Sequence, residues 1–248
     1  MALPPEIIAR LAQTDPDRVR AAQLATPEDR DALMVLYAFH AELAKVPELV
    51  SEPLIGQIRY QWWRDALDEV YSGKPPRKHE VVLPLAEMIA ERDVPRFGLD
   101  QLIDGRARDL DPRPFADIEA AKDYARTTSG RLMQTAAGLL GVEDERIVQA
   151  GEAWGLMGLA RSWRFYKGSM LQHLDASDLA EAAEECLGRA AGKLPAAAIP
   201  ATAYAALVPL YGRAVSRPGH DPATDKVEVG ALRKQARLMR AAMTGKIA

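Results

Sequence analysis

Asp65, Asp68 and Glu69 stand three and four residues apart in QWWRDALDEV, a spacing that brings carboxylates to one helix face where they can hold a divalent cation. Arg64 stands beside them and no second acidic cluster faces them, so a solvated helix face with Arg64 paired to Asp68 is the simpler reading. Asp104, Arg106, Arg108 and Asp109 form a mixed-charge cluster that suits either a polar site or an ion network between packed helices. Arg59 and Arg64 have the charge to hold an anion. Trp62 and Trp63 offer aromatic faces that stabilise cations, although Trp62 falls on an apolar stripe and core packing explains it more simply. The four histidines, His40, His79, His173 and His220, are scattered without HxxxH or HExxH spacing, so no zinc site is expected. The one cysteine, Cys186, excludes an intrachain disulfide and reads as a small half-buried residue on an Ala-rich helix. GxSxG, Walker and dinucleotide-binding glycine patterns are absent.

The elements that carry these residues read as helices. Apolar residues at Leu54, Ile55, Ile58, Trp62, Ala66, Leu67 and Val70 repeat with a 3.6 period, as do those from Phe115 through Ile118, Ala121, Tyr124, Thr128, Leu132 and Ala136 to Leu139. Residues 147–163 are apolar over a wider arc and predict a helix buried on several sides. Gly and Pro place loops at 72–76 and 111–114, and Pro195 and Pro200 divide the Ala-rich tract 187–207. Val81, Val82 and Leu83 are too few, and too near Pro84, to make a strand. Near the C-terminus, Val229, Leu232, Ala236, Met239 and Met243 form a stripe flanked by Arg233, Lys234, Arg237 and Arg240. That pattern predicts a helix docking its stripe on the core with the arginines outside; the rival is a helix lying on an anionic membrane or clamping an acidic partner.

Composition bounds the rest. A hydrophobic content of 48% over 248 residues suffices for one sizeable core. A net charge of −3 gives no global attraction for nucleic acid, and none is expected as a partner. No apolar run reaches the length of a membrane span, and MALPPEIIARLAQTD lacks a secretion signal, so the expected compartment is the cytosol.

The stretch 31–67, DALMVLYAFHAELAKVPELVSEPLIGQIRYQWWRDAL, carries a family resemblance. LYAF and IRYQWWRDAL resemble the opening helices of the squalene and phytoene synthase family, all-α enzymes that join two prenyl diphosphates head to head. DPDRVRAAQLATPEDRD before them, and LIDGRARDLD and YARTTSGRLMQTAAGLLG after them, are similar to further family helices. In the family, LYAF is followed by an aspartate-rich motif whose carboxylates hold Mg²⁺ against the departing diphosphate. Those positions fall here on Ala44, Lys45 and Glu48, and Pro47 predicts that the helix kinks or ends before Glu48. In the second motif, counted from Arg161, they fall on Gly158, Ser162 and Tyr166, none of them acidic. The word from His40 to Pro53 is most similar to the divergent branch that includes a mitochondrial complex I assembly factor.

The resemblance implies an all-α isoprenoid (terpenoid) synthase fold, one helical domain over residues 1–248 around a central cavity. Its candidate lining positions are Tyr37, Ala44, Lys45, Glu48, Tyr124, Gly158, Arg161 and Ser162. No catalytic, cofactor-binding or metal-ligating residue is expected. The expected function is a non-catalytic family member in respiratory complex I assembly, with a protein partner there, an isoprenoid or quinone-tail ligand in the cavity, and peripheral contact with the inner membrane through the basic C-terminal helix. The rival is an active prenyl transferase using Mg²⁺, with ligands rebuilt from Glu42, Glu48 or Glu52 on one side and Asp104 and Asp109 on the other. A third reading, an isoprenoid carrier, needs a cavity not filled by Trp63, Trp154, Trp163 and Phe165.

Overall fold

The computed structural model describes residues 3–111 and 113–248. The N-terminal signal reading touches Met1 and Ala2, and the predicted 111–114 loop contains Pro112; these three lie outside the described residues. Helices are entered at Pro or at polar caps. Pro5–Thr14 (α1) and Pro16–Ala22 (α2) begin on prolines, where the missing N–H costs nothing. In Pro27–Lys45 (α3), the Thr26 hydroxyl accepts the Asp29 N–H at 3.2 Å. Residues 32–40 of α3 are all buried, so this helix is the axis of the fold. Leu33, Leu36, Phe39 and Leu43 are fully covered, each contributing about 1.5–3 kcal/mol of burial. α3 stops at Lys45 and the chain turns through a 3-10 segment, Val46–Leu49, with Pro47 in its first turn.

Pro53–Tyr71 (α4) departs from the sequence expectation. Its buried residues are Gly56, Tyr60, Trp63, Ala66 and Leu67, while Leu54, Ile55 and Ile58 are exposed. The register is turned because Tyr60, fully buried, donates its hydroxyl to the Arg106 carbonyl at 2.9 Å and thereby ties α4 to the helix that ends there. Trp63 rather than Trp62 enters the core, packing edge-on to Phe39; Trp62 lies under the Arg77 guanidinium, 5.0 Å from its ring centre. Arg64 does not pair with Asp68 either. It reaches Asp104 at 2.6 Å, and Asp68 takes Arg96 at 2.5 Å.

Val82–Arg92 (α5) begins in the short apolar run beside Pro84, and Arg96–Ala107 (α6) leads into the 3-10 turn Arg108–Leu110. Ile118–Ala125 (α7) and Arg131–Leu139 (α8) are joined by a π-turn, Arg126–Gly130. Thr127 and Thr128 return their hydroxyls to the Tyr124 carbonyl, which competes with the regular ladder and accompanies the wider turn. Arg146–Arg161 (α9) is buried on several sides, packed against α7, α8, Ala176–Arg189 (α11) and Val208–Val215 (α13). The short helices Trp163–Tyr166 (α10) and Ile199–Thr202 (α12) lie between them. Among the described residues there is no strand beyond an isolated bridge between Lys193 and Lys246, and no helix long and apolar enough to cross a membrane.

The last helix, Ala231–Thr244 (α14), is turned about its axis relative to the expectation. Leu238 and Ala241 face the core, the Lys234 ammonium binds Asp17 at 3.0 Å, and Arg237 Nε donates to the Ala206 carbonyl at 3.0 Å. Leu232, Met239 and Met243 point away, with Leu232 87% exposed and Met243 83%.

Candidate functional site

A cavity of about 400 Å³ opens between α3, α6, α7 and α9. The end of α3 supplies Ala44 and the 3-10 segment after it Pro47 and Glu48; the end of α6 supplies Arg106 and, from the following turn, Asp109. Tyr124 comes from α7, and the π-turn presents Thr128 and Ser129. The opposite wall is α9 and its continuation, with Trp154, Gly158, Arg161, Ser162 and Tyr166. A second chamber of about 330 Å³ shares Ala44, Glu48 and Arg106 with the first and runs beneath α1 and α2 to Arg18, Tyr37, His40 and Lys45.

Arg106 organises the floor. Its Nη1 donates to Asp109 at 3.1 Å and to the Tyr124 hydroxyl at 3.0 Å, while Tyr124 donates its own proton to the other Asp109 oxygen at 2.6 Å. Arg106 Nε donates to His40 Nε2 at 3.3 Å, so that nitrogen must be the unprotonated acceptor. Burial pushes His40 well below its ordinary value, and the nearby Arg106 and Arg18 push the same way. Burial opposes the charge on Arg106, yet Tyr124 and Asp109 outweigh it and hold the guanidinium above its usual range. Burial raises the Tyr124 phenol despite the pull of Arg106. The group is a closed ion and hydrogen-bond network in which Asp109 is already used.

At the opposite end, Arg161 stacks on Tyr211 and Trp154, 4.3 and 4.8 Å from their ring centres, and stands 3.7 Å from Asp17. Asp17 is 3% exposed and also receives Lys234, Arg20 and the Tyr211 hydroxyl. In the second chamber, Arg18 is paired with Asp15 and lies over the rings of Tyr37 and Tyr204, while the Tyr37 hydroxyl and Arg18 Nε have no hydrogen-bond partner among the described residues.

Of the positions singled out from sequence, Ala44, Glu48, Tyr124, Gly158, Arg161 and Ser162 lie on the main cavity. Tyr37 and Lys45 lie on the second chamber, and Lys45 is held by Glu42 at 2.7 Å. The cluster 104–109 divides: Arg106 and Asp109 turn inward, Asp104 sits on the surface with Arg64, and Arg108 pairs with Asp111. The acids named for a rebuilt metal site do not converge, since only Glu48 and Asp109 reach the cavity and Glu42 is taken by Arg10 and Lys45. Asp65 and Glu69 are bound by Arg77. Among the described residues no group of three or more His, Cys, Asp or Glu could hold a metal ion. Of the four large aromatics, only Trp154 lines the space; Trp63 is in the core, Trp163 donates to the Leu174 carbonyl, and Phe165 is exposed. Cys186 is fully rather than half buried, its Sγ 3.2 Å from Glu152. Sequence reading did not single out Asp17 and Arg18 and weighed His40 only as a metal ligand; their signal is a charged or polar residue inside a family-like helical word.

The fold and cavity define a class. The architecture is that of the all-α isoprenoid synthases: a dehydrosqualene synthase solved in complex with a ligand superposes with a TM-score of 0.73, at 14% identity, over 96% of this chain and 94% of that one. The squalene/phytoene synthase family profile matches residues 11–165, and the chain belongs to that family. Among curated relatives, NADH dehydrogenase (ubiquinone) complex I assembly factor 6 of Bos taurus is 28% identical over 160 residues, and that of Homo sapiens 27%. Each match takes in 63% of this chain and 48% of the relative, so the chain spans about half the length of the curated relatives it matches.

Proposed function

We propose that this protein is a non-catalytic member of the squalene/phytoene synthase family that acts in the assembly of respiratory complex I, the process named for its mammalian relatives. The observation that carries the reading is the state of the cavity carboxylates. Ionising a prenyl diphosphate requires Mg²⁺ held by oxygen ligands from facing walls. Among the described residues Glu48 and Asp109 are the cavity's only acids, Asp109 is occupied by Arg106 and Tyr124, and the α9 wall offers Gly158, Ser162 and Tyr166. The test is diphosphate release from farnesyl and geranylgeranyl diphosphate by the purified protein with Mg²⁺. No release is expected from a folded sample; release that chelation abolishes would establish the transferase reading instead. Deleting the gene in its own cell is expected to lower the amount of assembled complex I on native gels, and an unchanged amount removes the assembly role.

A ligand-holding role for the cavity is favoured by one feature, the unpaired Tyr37 hydroxyl and Arg18 Nε in the chamber joined to it. Trp154 on the cavity wall reports occupancy: an isoprenoid diphosphate or a prenylated quinone held there changes its fluorescence without Mg²⁺, and a flat titration refutes that role.

A further inference from the structure

α14 turns outward the face that a terminal helix ordinarily buries. Leu232, Ala236, Met239 and Met243 recur at intervals of four, three and four residues, so they lie on one narrow arc of the helix, and all four are exposed. From Leu232 to Met243 the arc runs about 17 Å along a 14-residue helix. Arg233 and Arg240 follow Leu232 and Met239 by one position and border the arc on one side; both are exposed and, among the described residues, neither makes an ion pair. The helix cannot roll to hide the arc, because its other face is fixed. Lys234 is bound to buried Asp17, Arg237 to the Ala206 carbonyl, and Leu238 and Ala241 are in the core. The chain end is held as well, with the Leu194 N–H donating to the Gly245 carbonyl at 2.8 Å.

Charge decides what covers this face. Residues 229–248 contain Arg233, Lys234, Arg237, Arg240 and Lys246 and no acid, on a chain whose net charge is −3. Positive charge is therefore segregated to the element that carries the exposed apolar arc. Arg213 adds to it, since burial and the charges of Arg240 and Arg213 hold Arg237 below the ordinary arginine range. An apolar arc about one side chain deep, bordered by unpaired arginines and firmly seated on its own protein, matches the interface of an anionic bilayer: methionine and leucine enter the acyl boundary and the guanidinium groups meet lipid phosphates.

We propose that the outer face of α14, formed by Leu232, Ala236, Met239 and Met243 with Arg233 and Arg240, lies flat on an anionic lipid surface and holds the protein there peripherally. This is independent of whether the cavity is catalytic. Of the basic flank that the sequence pattern suggested, Arg233 and Arg240 border this face, while Lys234 and Arg237 are committed to the protein.

The test is co-sedimentation of the full chain with vesicles of phosphatidylcholine alone or mixed with phosphatidylglycerol, at low and high salt. Binding to the anionic vesicles is expected to exceed binding to the neutral ones by roughly tenfold or more and to weaken with salt, since each basic residue near such a surface contributes about 1 kcal/mol. Two double variants separate the parts of the face: L232Q with M243Q removes the apolar arc without changing charge, and R233E with R240E reverses the border. All four side chains are exposed, so both proteins should keep the wild-type circular dichroism and melting temperature, and both should fall to the neutral-vesicle level. Equal binding to both vesicle types, or anionic binding that survives either double variant, overturns the proposal. Capture of an acidic protein by this face without vesicle binding overturns the lipid assignment as well.

Discussion

Gly151 and Gly158 lie two turns apart on α9 and should respond to one chemical change with opposite signs. Replacing a helical glycine by alanine restricts the unfolded chain and gains up to about 1 kcal/mol of helix stability. At Gly158 an added Cβ meets nothing within 4 Å, because the position faces the cavity. The gain should survive there, reduced by the last-turn position to about 0.5–1 kcal/mol. At Gly151 the same methyl would fall 2.6 Å from the Ser129 carbonyl oxygen, 2.7 Å from Gly130 Cα and 2.9 Å from Met133 Cβ. Two of these atoms are backbone of the π-turn and the third is fixed to its own helix, so no rotamer change makes room. α9 and the π-turn would have to separate by most of about 1 Å, which forfeits a quarter to a half of the dispersion attraction along the crossing. Overpacking of this kind costs about 1–3 kcal/mol, and rigid backbone places it at the upper end. Net of propensity, Gly151→Ala should destabilise by about 2 kcal/mol. With a urea m-value of about 3 kcal/mol/M, the unfolding midpoint should fall by about 0.7 M for Gly151→Ala and rise by about 0.2–0.3 M for Gly158→Ala. Urea titrations followed by circular dichroism measure both. A midpoint for Gly151→Ala equal to or above the wild type would show that α9 and the π-turn do not touch as described, and a fall for Gly158→Ala would show that the cavity wall is not open there.

Two further tests use the buried titratable groups. His40 is neutral in the folded protein with its pKa depressed, so the unfolded chain binds the extra proton first. Its contribution is complete above about pH 6.5 and is lost as pH falls from there toward the folded value, at about 1.4 kcal/mol per pH unit. His40→Gln, which can still accept from Arg106, should flatten that part of the stability profile; an unchanged slope would mean that His40 is not the group responsible. Burial, with Glu152 adding to it, pushes the Cys186 thiol up to about 12. In native buffer at mildly alkaline pH it should leave a thiol reagent unreacted, then react fully in denaturant; rapid native labelling would contradict its packing between α9 and α11.

The helices, the stop at Pro47, the breadth of burial on α9 and the family word from LYAF to WWRDAL are local properties, and sequence was sufficient for them, whereas Pro200 does not divide its tract but sits in the first turn of α12. Helical period and proline stereochemistry act over a few residues and need no knowledge of neighbours. Which way a helix faces is a different kind of fact. The α4 stripe and the α14 stripe of Leu232, Met239 and Met243 are correctly periodic, yet the α14 stripe points outward, as do Leu54, Ile55 and Ile58 of the α4 stripe, whose Ala66 and Leu67 are buried. On α4 the decision belongs to Tyr60, whose hydroxyl finds the Arg106 carbonyl on a helix 46 residues away. On α14 it belongs to Asp17, a carboxylate that is almost fully buried and therefore needs cations; Lys234 comes from 217 residues along the chain to supply one. The same holds for the cavity floor, where Arg106, His40, Asp109 and Tyr124 meet from three separate segments. A periodic stripe states that a helix has two faces. Only the packed structure decides which face is inside, because the cost of an unpaired buried charge or hydroxyl exceeds the gain from covering a leucine or a methionine, and its partners are distant in sequence.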